Sequence, residues 1–206
     1  MIRITTGKSR SKPIIPGLNK CRQSLARRQD WGQVFWLNMV KCIGCGGLFP
    51  EVDGPVHRYM ESCAGCWGAF GEVLAREYSD PGYFAVHRLS VDAYAVQHPG
   101  KPSRQSIHSV GLHLIRLGLF LEHGLSAENA NAAMQKAATF KHTFFWLEPP
   151  VSPGWLTVAD VVKAGTAQEH KLAVRAWAQS AWAAWSPRHD TIRTWQLAIG
   201  QGLKNL

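Results

Sequence analysis

Cys42-Ile43-Gly44-Cys45-Gly46-Gly47 and Cys63-Ala64-Gly65-Cys66-Trp67, with seventeen residues between Cys45 and Cys63, are the two runs on which the reading of this chain turns. Each is a C-x2-C hook, and their separation suits a four-ligand zinc site. A C-x2-C turn aims two thiolates at one tetrahedral ion, and a second hook completes the coordination sphere. Gly44, Gly46 and Gly47 let the backbone fold tightly around the sulfurs. Cys42, Cys45 and Cys66 are therefore expected metal ligands. The fourth position stays open between Cys63, which completes the second hook, and His57, which would give three cysteines and one histidine. A closed set of four is structural, whereas a site with an open position can activate water.

The remainder of the composition narrows the setting. A chain of 206 residues with 46% hydrophobic content is sized for one globular domain with a small appended module. No segment is long and apolar enough to form a membrane-spanning helix, and the first forty residues lack the apolar core of a secretory signal. Two hooks plus the lone Cys21 do not resemble a disulfide framework, so reduced thiols in a cytoplasmic metal protein are expected. The net charge of +9 suggests nucleic acid until it is located: residues 1–38 carry +7 and the other 168 carry +2. The body is nearly neutral, which argues against nucleic acid as its partner. Three readings of 1–38 stand: a basic disordered extension, sequence upstream of a true start at Met39, or an arm for nucleic acid or acidic lipid. Residues 39–68 are then the zinc-binding module, and 69–206 a helical domain packed on it.

Helical signals dominate that second part. Trp67, Phe70 and Leu74 recur at helical spacing and place Cys66 at a helix start. Ser79-Asp80-Pro81-Gly82 reads as a turn, and Tyr83 to His98 as a helix closed by Pro99-Gly100. Ser103 to His123 is apolar on nearly every side and is expected at the centre of the core. Helices follow from Ser126 to about Phe140, from a Thr157 cap with Asp160 three residues on, from Ala167 to Trp185, and from Asp190 to about Leu203. Strands are expected only in the metal loop. The fold class is mostly α: a helical bundle with a small zinc-ribbon or knuckle-like loop at its N-terminal side. Trp177, Trp182, Trp185 and Trp195 are expected to form an aromatic core wall rather than a stacking platform for bases.

Several runs, Asp53-Gly54-Pro55-Val56-His57-Arg58-Tyr59 and His87 through Gly100 among them, resemble an uncharacterised bacterial family, a domain of unknown function. Its pattern of C-x2-C-G, H-x-Y and C-W maps onto Cys42, Cys45, His57, Tyr59, Cys66 and Trp67. The resemblance implies Cys42, Cys45, His57 and Cys66 as the ligand set, with Cys63 as the alternative fourth ligand. It implies no activity.

A second constellation bears on catalysis. On a helix, His87, Val91, Tyr94 and His98 share one face within about 60°. If the next helix packs antiparallel, His113 can join them and make a polar pocket inside an apolar bundle, with Arg104 and Gln105 facing it. The plainer reading gives each histidine a hydrogen bond in the core or at a helix end. Asp92 and Arg88 read as an i,i+4 surface pair. The chain is thus expected to be a zinc-binding helical module for a protein partner or small ligand. The alternatives are a small enzyme using His87, Tyr94, His98 and His113 for acid–base or second-metal chemistry, and a nucleic-acid binder acting through the arm.

Overall fold

The described chain opens on the metal loop. The computed structural model describes residues 38–126 and 129–201, so the basic arm, Cys21, Glu128 and Leu203, where the last helix was expected to end, lie outside the described residues. Strands β1 (Met39–Lys41) and β2 (Leu48–Pro50) pair antiparallel, with Val40 opposite Phe49. Between them the first hook turns back on itself: the Cys42 amide donates to the Gly47 carbonyl and the Gly46 amide to the Cys42 carbonyl. Gly46 takes φ 73, a left-handed value that a side chain resists.

Helix α1 (Ala64–Ser79) starts at the second hook and buries Cys66, Phe70, Val73 and Glu77, an i, i+4, i+7, i+11 stripe. Pro81 then begins a separate short helix, α2 (Pro81–Phe84), capped by Asp80, and α3 (His87–Gln97) follows. The single helix expected from Tyr83 is therefore broken, at a Val86 with ψ near 4° whose side chain is buried. At the other end of α3, Pro99 disfavours helical geometry for His98, which sits just beyond the helix at φ −126 and ψ 59. Gly100 completes the turn at φ 71, close against the Tyr59 carbonyl, where a Cβ would collide.

Helices α4 (Arg104–Glu122), α5 (Ala130–Phe140), α6 (Val158–Val162), α7 (Ala167–Ala184) and α8 (His189–Gln201) complete the body. Ser103 caps α4, and the Thr157–Asp160 capping box forms as expected; Thr166 and Glu169 make a second such box at α7. Helix α4 is central, packing on α3, α5, α7 and α8, but the most completely buried helix is α3. It packs on α4, α7 and α1, and from Leu89 to Gln97 only Val91 is not fully buried. Helix α4 instead leaves one face of its first turns to solvent. Trp177, Trp182, Trp185 and Trp195 are all buried in the core. No described helix is long and apolar enough to cross a membrane.

A core helix with this much polarity must satisfy it. Gln97 shows how: its Nε2 donates to the carbonyls of Pro153 (3.0 Å) and Leu156 (2.9 Å), and its Oε1 accepts from Trp177 Nε1 (2.8 Å). One amide thus ties the Pro-rich connector and α7 to the end of α3. Replacing Gln97 by Leu strands the buried Trp177 N–H and two part-buried carbonyls, at about 1–3 kcal/mol for a fully buried group and less for the carbonyls. We predict that Gln97→Leu lowers stability by about 3 kcal/mol, read in urea unfolding as a lower midpoint at unchanged slope. A loss below about 1 kcal/mol would show that the connector docks independently of Gln97.

Candidate metal centre

Cys42 and Cys45 come from the hairpin turn, Cys66 from the first turn of α1, and His98 from just past the end of α3. Their donor atoms all lie within 4.8 Å of one another. His98 Nε2 is 3.5 Å from Cys42 Sγ and 3.4 Å from Cys66 Sγ, and Cys45 Sγ is 3.8 Å from Cys66 Sγ. Ligands of one tetrahedral zinc, at ~2.3 Å for sulfur and ~2.05 Å for nitrogen, stand about 3.8 Å apart for S–S and about 3.6 Å for S–N. The donor set fits such an ion. All four residues are 3% exposed or less, which leaves no opening for solvent at the cluster.

Local chemistry aims each donor. His98 Nδ1–H donates to the Tyr94 carbonyl at 2.7 Å, so the neutral ring turns its Nε2 lone pair to the sulfurs. The Tyr94 ring is stacked between His98 (4.0 Å) and Phe70 (3.9 Å), and its hydroxyl lies 3.6 Å from Cys66 Sγ. Gly44 is bare because the His98 ring and the Glu61 and Gln97 carbonyls occupy the space of a Cβ. The Gly47 backbone hydrogen-bonds Cys45.

The electrostatics call for a cation. Hydrogen bonds from Cys45 and Cys66 hold the Cys42 thiol far below its usual range. Its neighbours move the opposite way: the hydrogen bond to Cys42 and burial push Cys45 up to about 12. Cys66 is driven well above the thiol range by hydrogen bonds to Cys42 and Cys45 and by burial. Three crowded, dry thiols therefore cannot all ionise together unless a positive ion stands among them, and a bound metal ionises coordinating thiols outright.

Two expected donors stand apart from this group. His57 belongs to its own turn: its Nδ1 accepts from the Met60 amide (3.3 Å) and more weakly from Tyr59 (3.5 Å), and its ring packs against Tyr59 and Trp67. Cys63 is the N-cap residue of α1, half-buried, near enough to feel the Cys42 charge but outside the four-donor group. His98 is the fourth member of the group that can hold a metal, where either of these was expected. Its signal lay in Gln97-His98-Pro99-Gly100, where proline forces the histidine off the helix, but it comes 32 residues after Cys66, far outside hook spacing.

The His/Tyr constellation separates into three places. Tyr94 and His98 join the cysteines. His87 turns to α1, where its Nδ1 meets the buried Glu77 carboxylate at 2.8 Å and its Nε2 meets the Tyr78 hydroxyl at 3.1 Å. Glu77 also takes hydrogen bonds from His170 (3.0 Å) and Ser90. His113 binds Asp92 at 2.7 Å, on another face of α3 from Tyr94 and His98. Asp92 is fully buried and pairs with Arg116 at 2.6 Å, not with Arg88, because α4 lies against that face. Of the groups expected beside a pocket, His113, Arg104 and Gln105 do border one open cleft, but Tyr94, His98 and His87 do not line it.

The chain is thus a mostly helical protein with a buried Cys3His cluster able to hold a metal ion. It belongs to a family of unknown function, DUF5946, whose model matches residues 40–186, from the hairpin through α7. No curated protein and no solved structure matches it.

The Glu77 cluster carries a pH signature. Burial raises the Glu77 carboxyl, but hydrogen bonds from His170, His87 and Ser90 outweigh it and hold the group below its ordinary value. With a folded value below the unfolded value of about 4.3, its contribution is fully present above that pH and lost as pH falls through the folded value. The stability gap between the native protein and Glu77→Gln is therefore expected to be largest near neutrality and to close below about pH 4. Urea unfolding from pH 7 to pH 3 measures it; a gap constant with pH would contradict this account.

Proposed function

We propose that the protein is a zinc-binding helical module in which one structural Zn2+ is held by Cys42, Cys45, Cys66 and His98. The observation that carries this reading is the burial of all four donor residues with their donor atoms within 4.8 Å of one another. Three thiolates and an imidazole suit zinc, and four protein ligands leave no position for a substrate or water. The ion would fasten the hairpin to α1 and to the end of α3, joining segments up to 56 residues apart. On this reading the metal supplies folding energy rather than chemistry, and the helical body serves as the binding surface for a protein or small ligand. A reducing, cytoplasmic setting keeps such thiols available for metal.

Elemental analysis of protein purified without added metal is expected to return one zinc per chain. His98→Ala should lose most of that zinc and much of the cooperative melting transition, whereas His57→Ala and Cys63→Ser should retain both. A well-folded, metal-free protein would refute the zinc reading. Retention of zinc by His98→Ala together with its loss from His57→Ala would restore the ligand set implied by the family pattern.

A further inference from the structure

The exposed face of α4 opens a cleft of about 520 Å³ bordered by Tyr59, Arg104, Gln105, His108, Ser109 and His113. Every polar side chain among these can donate a hydrogen bond, and among the described residues no carboxylate lines the cleft. Positive charge gathers there: partial burial, followed by the charges of Lys141 and Arg104, holds His108 below its ordinary value. An anion in the cleft would relieve that field.

His113 adds a second feature. Its Nδ1–H donates to Asp92 Oδ1, and Asp92 is itself gripped by Arg116 through Nε (2.7 Å to Oδ2) and a terminal nitrogen (2.6 Å to Oδ1). A buried carboxylate that fixes one ring nitrogen leaves the other, Nε2, as the acceptor of the neutral ring. The His113 side chain keeps 16% of its surface exposed, and it borders the cleft. A purely internal ion network would not need its imidazole at the rim of a cationic cleft.

We propose that this cleft binds a small phosphate-bearing ligand, with Arg104 and His108 holding the oxyanion and His113, oriented by Asp92, turning its Nε2 acceptor to a hydroxyl of the ligand, a protonated phosphate oxygen included. The guanidinium fork matches a tetrahedral oxyanion, and the Ser109 hydroxyl and Gln105 amide supply neutral donors beside it. At Nε2, His113 can take a proton from a ligand hydroxyl or return one. None of these residues is a donor of the Cys3His cluster, so this site stands or falls apart from the zinc reading.

The test is a titration of the full, metal-loaded chain with inorganic phosphate, followed through the histidine ring nitrogens by NMR, with chloride at matched ionic strength as control. The His108 and His113 signals are expected to shift together and saturate, while those of exposed His123 and His142 stay in place. Arg104→Gln should weaken the apparent affinity at least tenfold with the metal content unchanged, and Asp92→Asn should alter the His113 tautomer signature. Shifts that fail to saturate, that appear equally at His142, or that persist in Arg104→Gln would overturn the proposal.

Discussion

Three thiols and an imidazole brought within 4.8 Å of one another in a dry interior are a constraint on everything around them. Buried thiols repel a second and third ionisation, as the opposed displacements of Cys42 and Cys66 show. A cation resolves the conflict. The free energy of a structural zinc in small domains, about 10–16 kcal/mol, is as large as the whole stability of an ordinary domain, about 5–15 kcal/mol. The hairpin has two three-residue strands, and apart from the cysteines only Phe49 among its apolar side chains is fully buried, so Phe49 and that cluster attach it to the helices.

The end of α3 is where these demands meet. Pro99 turns His98 out of the helix, Tyr94 one turn back fixes its ring, and Gly44 yields the space that the ring needs. Gln97, the neighbour of His98, binds the 153–156 connector and Trp177 in the opposite direction. Two adjacent residues therefore couple the metal loop to the far side of the core. The same helix carries Asp92 toward α4, and Ser90 and His87 toward Glu77. Its polar residues serve several neighbours on different faces, so they do not converge on one pocket.

Much of the fold was legible because local signals agreed with it. Glycine and proline punctuation, the Thr157 cap and the spacing of Trp67, Phe70 and Leu74 located most helices, and the hooks located three of the four clustered donors. What the sequence left hidden was long-range. His57 lies between the hooks and fits a ligand spacing, yet its Nδ1 is used by the turn that contains it. His98 has no sequence neighbour in the cluster, and only the packing of α3 against the hairpin and α1 brings it there. Likewise, helical periodicity placed His87, Tyr94 and His98 on one face, but a face 11 residues long meets several elements. Asp92 was read as a surface partner of Arg88 because burial of a carboxylate cannot be seen until its cationic partner, Arg116, is placed across from it.

The central claim is that His98 is the fourth ligand of a closed site. X-ray absorption at the zinc edge of the purified full chain tests it most directly. The account predicts three sulfurs at about 2.3 Å and one nitrogen at about 2.0–2.1 Å, with no bound water. A shell of four sulfurs would put Cys63 in the place given to His98, and a shell rich in light atoms would show an open site and contradict a structural role.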